Sequence, residues 1–129
     1  MYVFTFLYPR PKTRSFDYDY HRRVHMPMGL GLTKRHVGVQ PKLFWIERID
    51  EGNPDSKEKY AAMVHLFFES REDRDKVHDI VHHADALRQL QEDYGNYTDT
   101  PPEVRMTRWT LDDDISALIN QFNAKPSNT

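Results

Sequence analysis

The chain has 129 residues, 38% of them hydrophobic and 12% aromatic, with 18 Lys and Arg against 20 Asp and Glu for a formal net charge of −2. One domain with one real core is the simplest organisation for this length, and the balanced charge, with basic residues scattered, excludes a nucleic-acid-binding surface. The absence of cysteine excludes thiol catalysis, thiolate metal sites and disulfides.

Residues 1–8 are apolar but lack the basic region and length of a signal peptide. No window approaches membrane-spanning length. A cytoplasmic protein with no membrane partner is the expectation. Residues 2–8 are β-branched and aromatic and are closed by Pro9 and Pro11, which predicts a first strand. A polar loop to Ser15 leads into a helix with Asp17 and Asp19 in its first turn and Phe16, Tyr20 and Val24 as an apolar ridge. Pro27 interrupts that helix. Its ring clashes with the carbonyl of Arg23 and disfavours helical angles at Met26, so His25 is expected beside a forced break.

Beyond the break, Met28-Gly29-Leu30-Gly31-Leu32 permits close approach of a neighbour or ligand. A second, irregular strand is expected over 37–49, followed by a turn-rich loop at 50–57. Residues 60–69 form the clearest strand, apolar on both faces, so both faces should be covered. Ser70 with Arg71-Glu72-Asp73 caps a helix expected to run to about Gln91, with Val77, Ile80, Val81, Ala84, Leu87 and Leu90 as its core stripe. A loop at 95–100 precedes a last strand over 103–110. Asp112-Asp113-Asp114 opens a terminal helix carrying Ile115, Leu118, Ile119 and Phe122, and the tail from Asn123 should fray.

The order β-α-β-β-α-β is the ferredoxin-like pattern, an α+β fold with a four-stranded antiparallel sheet. Two helices cover one sheet face only. A strand that is apolar on both sides therefore predicts that the other face meets a second copy, in a two-fold homodimer.

Three groups of residues carry a resemblance. They are Phe16-Asp17-x-x-Tyr20 followed by His25-x-Pro27, the strand ending Ala62-Met63-Val64-His65-Leu66-Phe67-Phe68-Glu69-Ser70, and Asn96-Tyr97-Thr98-Asp99 before a proline-led strand. In this order and spacing the chain resembles the EthD family of dimeric α+β barrel proteins from Tyr2 to about Trp109. The longer loop at 50–58 and the added terminal helix depart from it. The resemblance implies a barrel domain over 1–111, which leaves the C-terminal helix and tail over 112–129 as an addition. It also implies a pocket between sheet and helices. Relatives are described as cofactor-free dehydratases or decarboxylases on polyketide intermediates, and the wider superfamily includes isomerases, cofactor-free oxygenases and haem proteins, so fold alone does not choose the reaction.

His25 can take or give a proton near neutral pH; the plainer alternative is that it ties down backbone freed by Pro27. His65, amid an apolar strand, is either a satisfied core group or a second pocket acid–base residue. Tyr20 can orient a substrate oxygen or simply pack. Asp99 can orient a histidine or close a turn. Met28 and Tyr97 complete the substrate-binding candidates. His21/His25 and His78/His82 are i, i+4 pairs without a third ligand or a His-Glu-x-x-His motif, so no metal is expected. No phosphate loop or nucleophile elbow occurs, and no cofactor is expected.

The reading is a cofactor-independent lyase or isomerase (dehydration, decarboxylation or cyclisation) using histidine acid–base catalysis on a small aromatic or polyketide-like substrate. The alternatives are a non-catalytic small-molecule-binding accessory protein and a cofactor-free oxygenase.

Overall fold

The computed structural model describes residues 1–124, and the expected fraying beyond Ala124 lies outside them. In chain order the elements are β1 (Tyr2–Pro9), α1 (Tyr18–Tyr20), a π-helical turn (His21–His25), α2 (Met26–Val37), β2 (Leu43–Arg48) and β3 (Tyr60–Phe68). There follow α3 (Arg71–Lys76), a 3-10 segment (Val77–His82), α4 (Ala84–Tyr94), β4 (Glu103–Arg108) and α5 (Ile115–Ala124). The sheet order is β2-β3-β1-β4 and every pairing is antiparallel. This is the ferredoxin-like α+β arrangement the element order predicts. Among the described residues no helix is long and apolar enough to cross a membrane.

Register divides the sheet into two faces. Phe4, Phe6 and Tyr8 of β1 align with Leu66, Val64 and Ala62 of β3 and with Met106 and Val104 of β4, and this face receives the helices. The opposite face carries Val3, Thr5 and Leu7 beside Phe67, His65 and Met63. Trp109 folds across it, with ring centroids 4.8 Å from His65 and 5.1 Å from Phe67. Val3, Thr5, His65 and Phe67 are thereby buried within one chain, while Trp45 stays 53% exposed.

Pro27 does not break the helix. Met26 keeps α-helical angles (φ −62°, ψ −47°), and its N–H reaches back five residues to the His21 carbonyl. One widened π turn absorbs the proline, whose missing donor falls at the start of α2. The extra residue also rotates the ridge. Instead of Tyr20 and Val24, His21 and His25 point inward and are buried. Asp17 is the actual N-cap, its side chain accepting from the Tyr20 amide at 3.0 Å.

Two further boundaries differ from expectation. α2 runs to Val37 because Gly38 supplies the left-handed C-cap (φ 81°), so β2 begins only at Leu43, past Pro41. The expected single helix over 71–91 is divided at His83, whose angles are extended (φ −112°, ψ 86°). Within the 3-10 segment, three residues per turn places Val77 and Ile80 in line above the sheet. In α5, Phe122 is 74% exposed, and Ile115, Leu118 and Ile119 also face outward.

Candidate functional site

Between the helices and the inner sheet face lies a cavity of about 170 Å³. Its floor is Phe4, Phe6, Tyr8, Val64, Leu66 and Phe68, and its helical wall includes His25, Met26, Leu30, Leu90 and Tyr94. Cavities of about 150 Å³ with such apolar linings accept a single benzene ring. The lining is apolar apart from a few side chains, and His25 is the buried imidazole among them.

His25 is held by Asp93, near the end of α4. Its Nδ1 lies 2.9 Å from Asp93 Oδ2, and both side chains are largely buried. A carboxylate only accepts, so Nδ1 carries the proton and donates it. Nε2 then presents a lone pair and makes no hydrogen bond among the described residues. The carboxylate is itself positioned, accepting from the Tyr20 hydroxyl at 2.6 Å and from Asn96 Nδ2 at 2.9 Å. Asn96 Nδ2 also donates to the Tyr20 oxygen at 3.1 Å. Burial raises the Asp93 pKa, but the bonds from Tyr20, Asn96 and His25 outweigh it and hold the carboxyl below its ordinary value. Burial lowers the His25 pKa, and Asp93 opposes that shift without reversing it. The result is a neutral imidazole of fixed tautomer at pH 7, the state a general base needs.

Beneath this dyad, Tyr97 is fully buried and serves as the hub of an aromatic cluster. Its ring centroid lies 4.8 Å from His25, 5.1 Å from His21 and 5.7 Å from Tyr8. Thus Tyr20 and His25 meet on one carboxylate and pack on Tyr97, though Tyr20 and Tyr97 do not line the cavity. The sequence does not single out Asp93, because a carboxylate near the end of an amphipathic helix looks like any solvated acid. The nearby Asn96-Tyr97 pair was the only hint.

Three other candidates lie elsewhere. His65 is on the opposite sheet face, so the expectation that it shares a pocket with His25 is corrected. Its Nε2 sits 2.9 Å from Glu47 Oε1 and its Nδ1 2.9 Å from Thr5 Oγ1. Glu47 accepts from Nε2, Thr5 donates to Nδ1, and no ring nitrogen is left for chemistry. Met28 is replaced in the wall by Met26, because Met26, Gly29, Leu30 and Thr33 form the helical stripe that faces the cavity and Met28 lies off it.

Asp99 closes a loop, accepting from the backbone amides of Lys12 (2.9 Å) and Thr13 (2.7 Å) and from the Thr13 hydroxyl (2.8 Å). Partial desolvation raises its pKa, yet these donors bring it down to about 2. A depressed carboxyl stabilises the fold above its unfolded pKa and loses that contribution as pH falls through the folded one. Asp99→Ala is therefore expected to lower the melting temperature at pH 7 and to flatten the melting curve's pH dependence between about pH 4 and 2, measurable by circular dichroism.

Comparison of folds places this architecture among solved proteins. An EthD-like protein from Ralstonia eutropha JMP134 superposes with a TM-score of 0.61 at 20% identity, over 88% of this chain and 96% of that one. An ethyl tert-butyl ether D (EthD) family protein from Bacillus halodurans C-125 gives 0.53 at 17%, over 85% and 99%. The fold is EthD-like. No protein-family profile matches the chain, and no curated protein matches its sequence. Within the EthD-like fold, then, the chemistry rests on this chain's own side chains. Among the described residues no three His, Cys, Asp or Glu side chains gather to hold a metal ion.

Proposed function

We propose that the protein is a cofactor-independent lyase or isomerase in which His25 Nε2 moves a proton on a small, neutral, single-ring or ketide-like substrate. The observation that supports this reading is the His25–Asp93 pair, 2.9 Å apart, set in the wall of an apolar cavity of about 170 Å³. A carboxylate-oriented imidazole removes a proton from carbon beside a carbonyl. The resulting imidazolium returns that proton to another carbon, giving isomerisation, or to a departing β-hydroxyl, giving dehydration with release of water. The apolar walls strengthen both electrostatic steps by keeping water away.

The test is exchange of C–H for deuterium in D₂O, followed by NMR, across a panel of one-ring β-dicarbonyl and β-hydroxyketone compounds. Protein-dependent exchange at the position beside the carbonyl is the expected result. Saturable binding with no exchange and no product would instead support an accessory protein that carries the ligand, and oxygen uptake would support an oxygenase.

We also propose that residues 1–111 form the barrel unit and 112–129 an appended arm, and that a second copy covers the outer sheet face. Exposed Leu43 and Trp45 on β2 and the outward apolar side of α5 support this. Analytical ultracentrifugation should find twice the 15.4 kDa chain mass, and Trp45→Asp should shift the population to monomer. A wild-type monomer at micromolar concentration would overturn the dimer.

A further inference from the structure

Tyr8 is a second residue of the cavity wall that carries a polar group, and the proton-transfer scheme above does not use it. The side chain belongs to the cavity wall and is 2% exposed. Its oxygen lies 3.0 Å from the Tyr97 hydroxyl. Two hydroxyls share that one bond, so one of their two protons has no acceptor among the described residues. Tyr97 does not line the cavity. The arrangement that leaves no proton facing the packed core has Tyr97 donating to Tyr8, which frees the Tyr8 proton for a ligand atom in the cavity. Tyr8 and His25 both pack on the Tyr97 ring, with centroids 5.7 and 4.8 Å from it. Tyr8 and His25 thus both line the one cavity and pack on one scaffold residue.

We infer that the Tyr8 hydroxyl, backed by Tyr97, is the hydrogen-bond donor that holds a substrate carbonyl oxygen and stabilises it as an enolate, which makes the substrate a carbonyl compound with an acidic C–H beside that carbonyl. The inference rests on the proton-transfer reading of His25. In the step it implies, the C–H electron pair moves into the new C=C bond and the carbonyl π pair moves onto oxygen. His25 Nε2 takes the proton, and Tyr8 donates a hydrogen bond without giving up its own proton. Burial raises the Tyr8 pKa and keeps the phenol protonated across the working range. A preorganised donor in a dry site is worth far more to a developing oxyanion than to the ground-state carbonyl.

The test is a binding measurement that does not depend on turnover. Affinities of 3,4-dinitrophenolate, an enolate mimic, and of 3,4-dinitrotoluene, its counterpart without the oxyanion, are measured by absorbance and calorimetry. The proteins are wild type, Tyr8→Phe, Tyr97→Phe, Tyr94→Phe and His25→Gln, each checked for an unchanged melting transition. Tyr8→Phe is expected to weaken dinitrophenolate binding about 10–100-fold, the range for a hydrogen bond to a charged partner, with dinitrotoluene binding within about twofold of wild type. Tyr97→Phe should give a smaller loss in the same direction, because it removes only the support behind Tyr8.

Tyr94 also lines the cavity and supplies the competing explanation. Loss of phenolate preference in Tyr94→Phe but not in Tyr8→Phe overturns the inference, as does equal phenolate binding by wild type and Tyr8→Phe. His25→Gln losing deuterium exchange while retaining phenolate preference supports it. No exchange in any protein, with the Tyr8→Phe effect intact, sinks the proton-transfer reading and leaves the donor assignment standing.

Discussion

Replacing His25 with glutamine is expected to slow protein-dependent deuterium exchange by about 10²–10⁴-fold, the usual worth of a positioned general base. Glutamine is close in volume, and its amide can still donate to Asp93, so the wall of the cavity should keep its shape. What it lacks is a basic nitrogen. The effect should therefore fall on kcat, with KM nearly unchanged. The pH profile gives an independent reading. Burial depresses the His25 pKa below 6.5, with Asp93 pulling the other way. The basic form thus persists to lower pH than for a free imidazole. Wild-type kcat/KM should rise with pH and level off at a midpoint below 6.5.

In Asp93→Asn the opposing charge is gone, so the midpoint should move still lower while the plateau rate drops, because the tautomer is no longer fixed. A structural role for the carboxylate would not move the midpoint. A folded His25→Gln protein with undiminished exchange would sink the mechanism outright.

Much of this architecture is legible in the sequence. The β1 and β3 runs, the Ser70 cap, whose side chain accepts from the Asp73 amide at 3.1 Å, and the order of elements led to the observed sheet. His25 was legible as a working side chain for a partly mistaken reason. Pro27 predicts a break, whereas a π turn carries the helix through it. That turn hides from periodicity analysis because one inserted residue moves the buried face from Tyr20 and Val24 to His21 and His25 without changing composition.

For His65 the sequence leaves two readings open, and the structure takes the satisfied core group. Residues 60–68 are apolar at both parities, so alternation could not say which face its ring takes. The residues that cover that face, Trp45 and Trp109, lie 20 and 44 positions away in sequence. Asp93 and Tyr8 become functional candidates only through contacts 68 and 89 residues apart. Local chemistry can propose a base, but its orienting acid and the proton donor opposite belong to tertiary structure.

His21 carries the largest expected effect on stability, and the effect appears in acid. Its side chain is fully buried, and neither ring nitrogen has a hydrogen-bond partner among the described residues. Tyr8, Phe16, Tyr97 and His25 surround it, with centroids 5.1–5.6 Å away. Burial, with the neighbouring His25 adding to it, lowers its pKa to about 3. The unfolded chain holds this imidazole near 6.5, so between those values the unfolded state binds a proton that the folded state refuses. Stability therefore rises with pH across the window and is lost progressively as pH falls from 6.5 toward 3. At about 1.4 kcal/mol per unit the full window amounts to on the order of 4–5 kcal/mol, a large fraction of the whole stability of a domain this size.

His21→Phe keeps an aromatic ring in an aromatic cage and removes both the titration and two nitrogens that have no partner among the described residues. Urea unfolding at pH 7 and pH 4 should show wild type losing several kcal/mol between the two conditions and the variant losing markedly less. At pH 7 the variant should be at least as stable, since an unpaired buried polar group costs about 1–3 kcal/mol. A variant as acid-sensitive as wild type would overturn the assignment, because the loss would then come from groups other than His21.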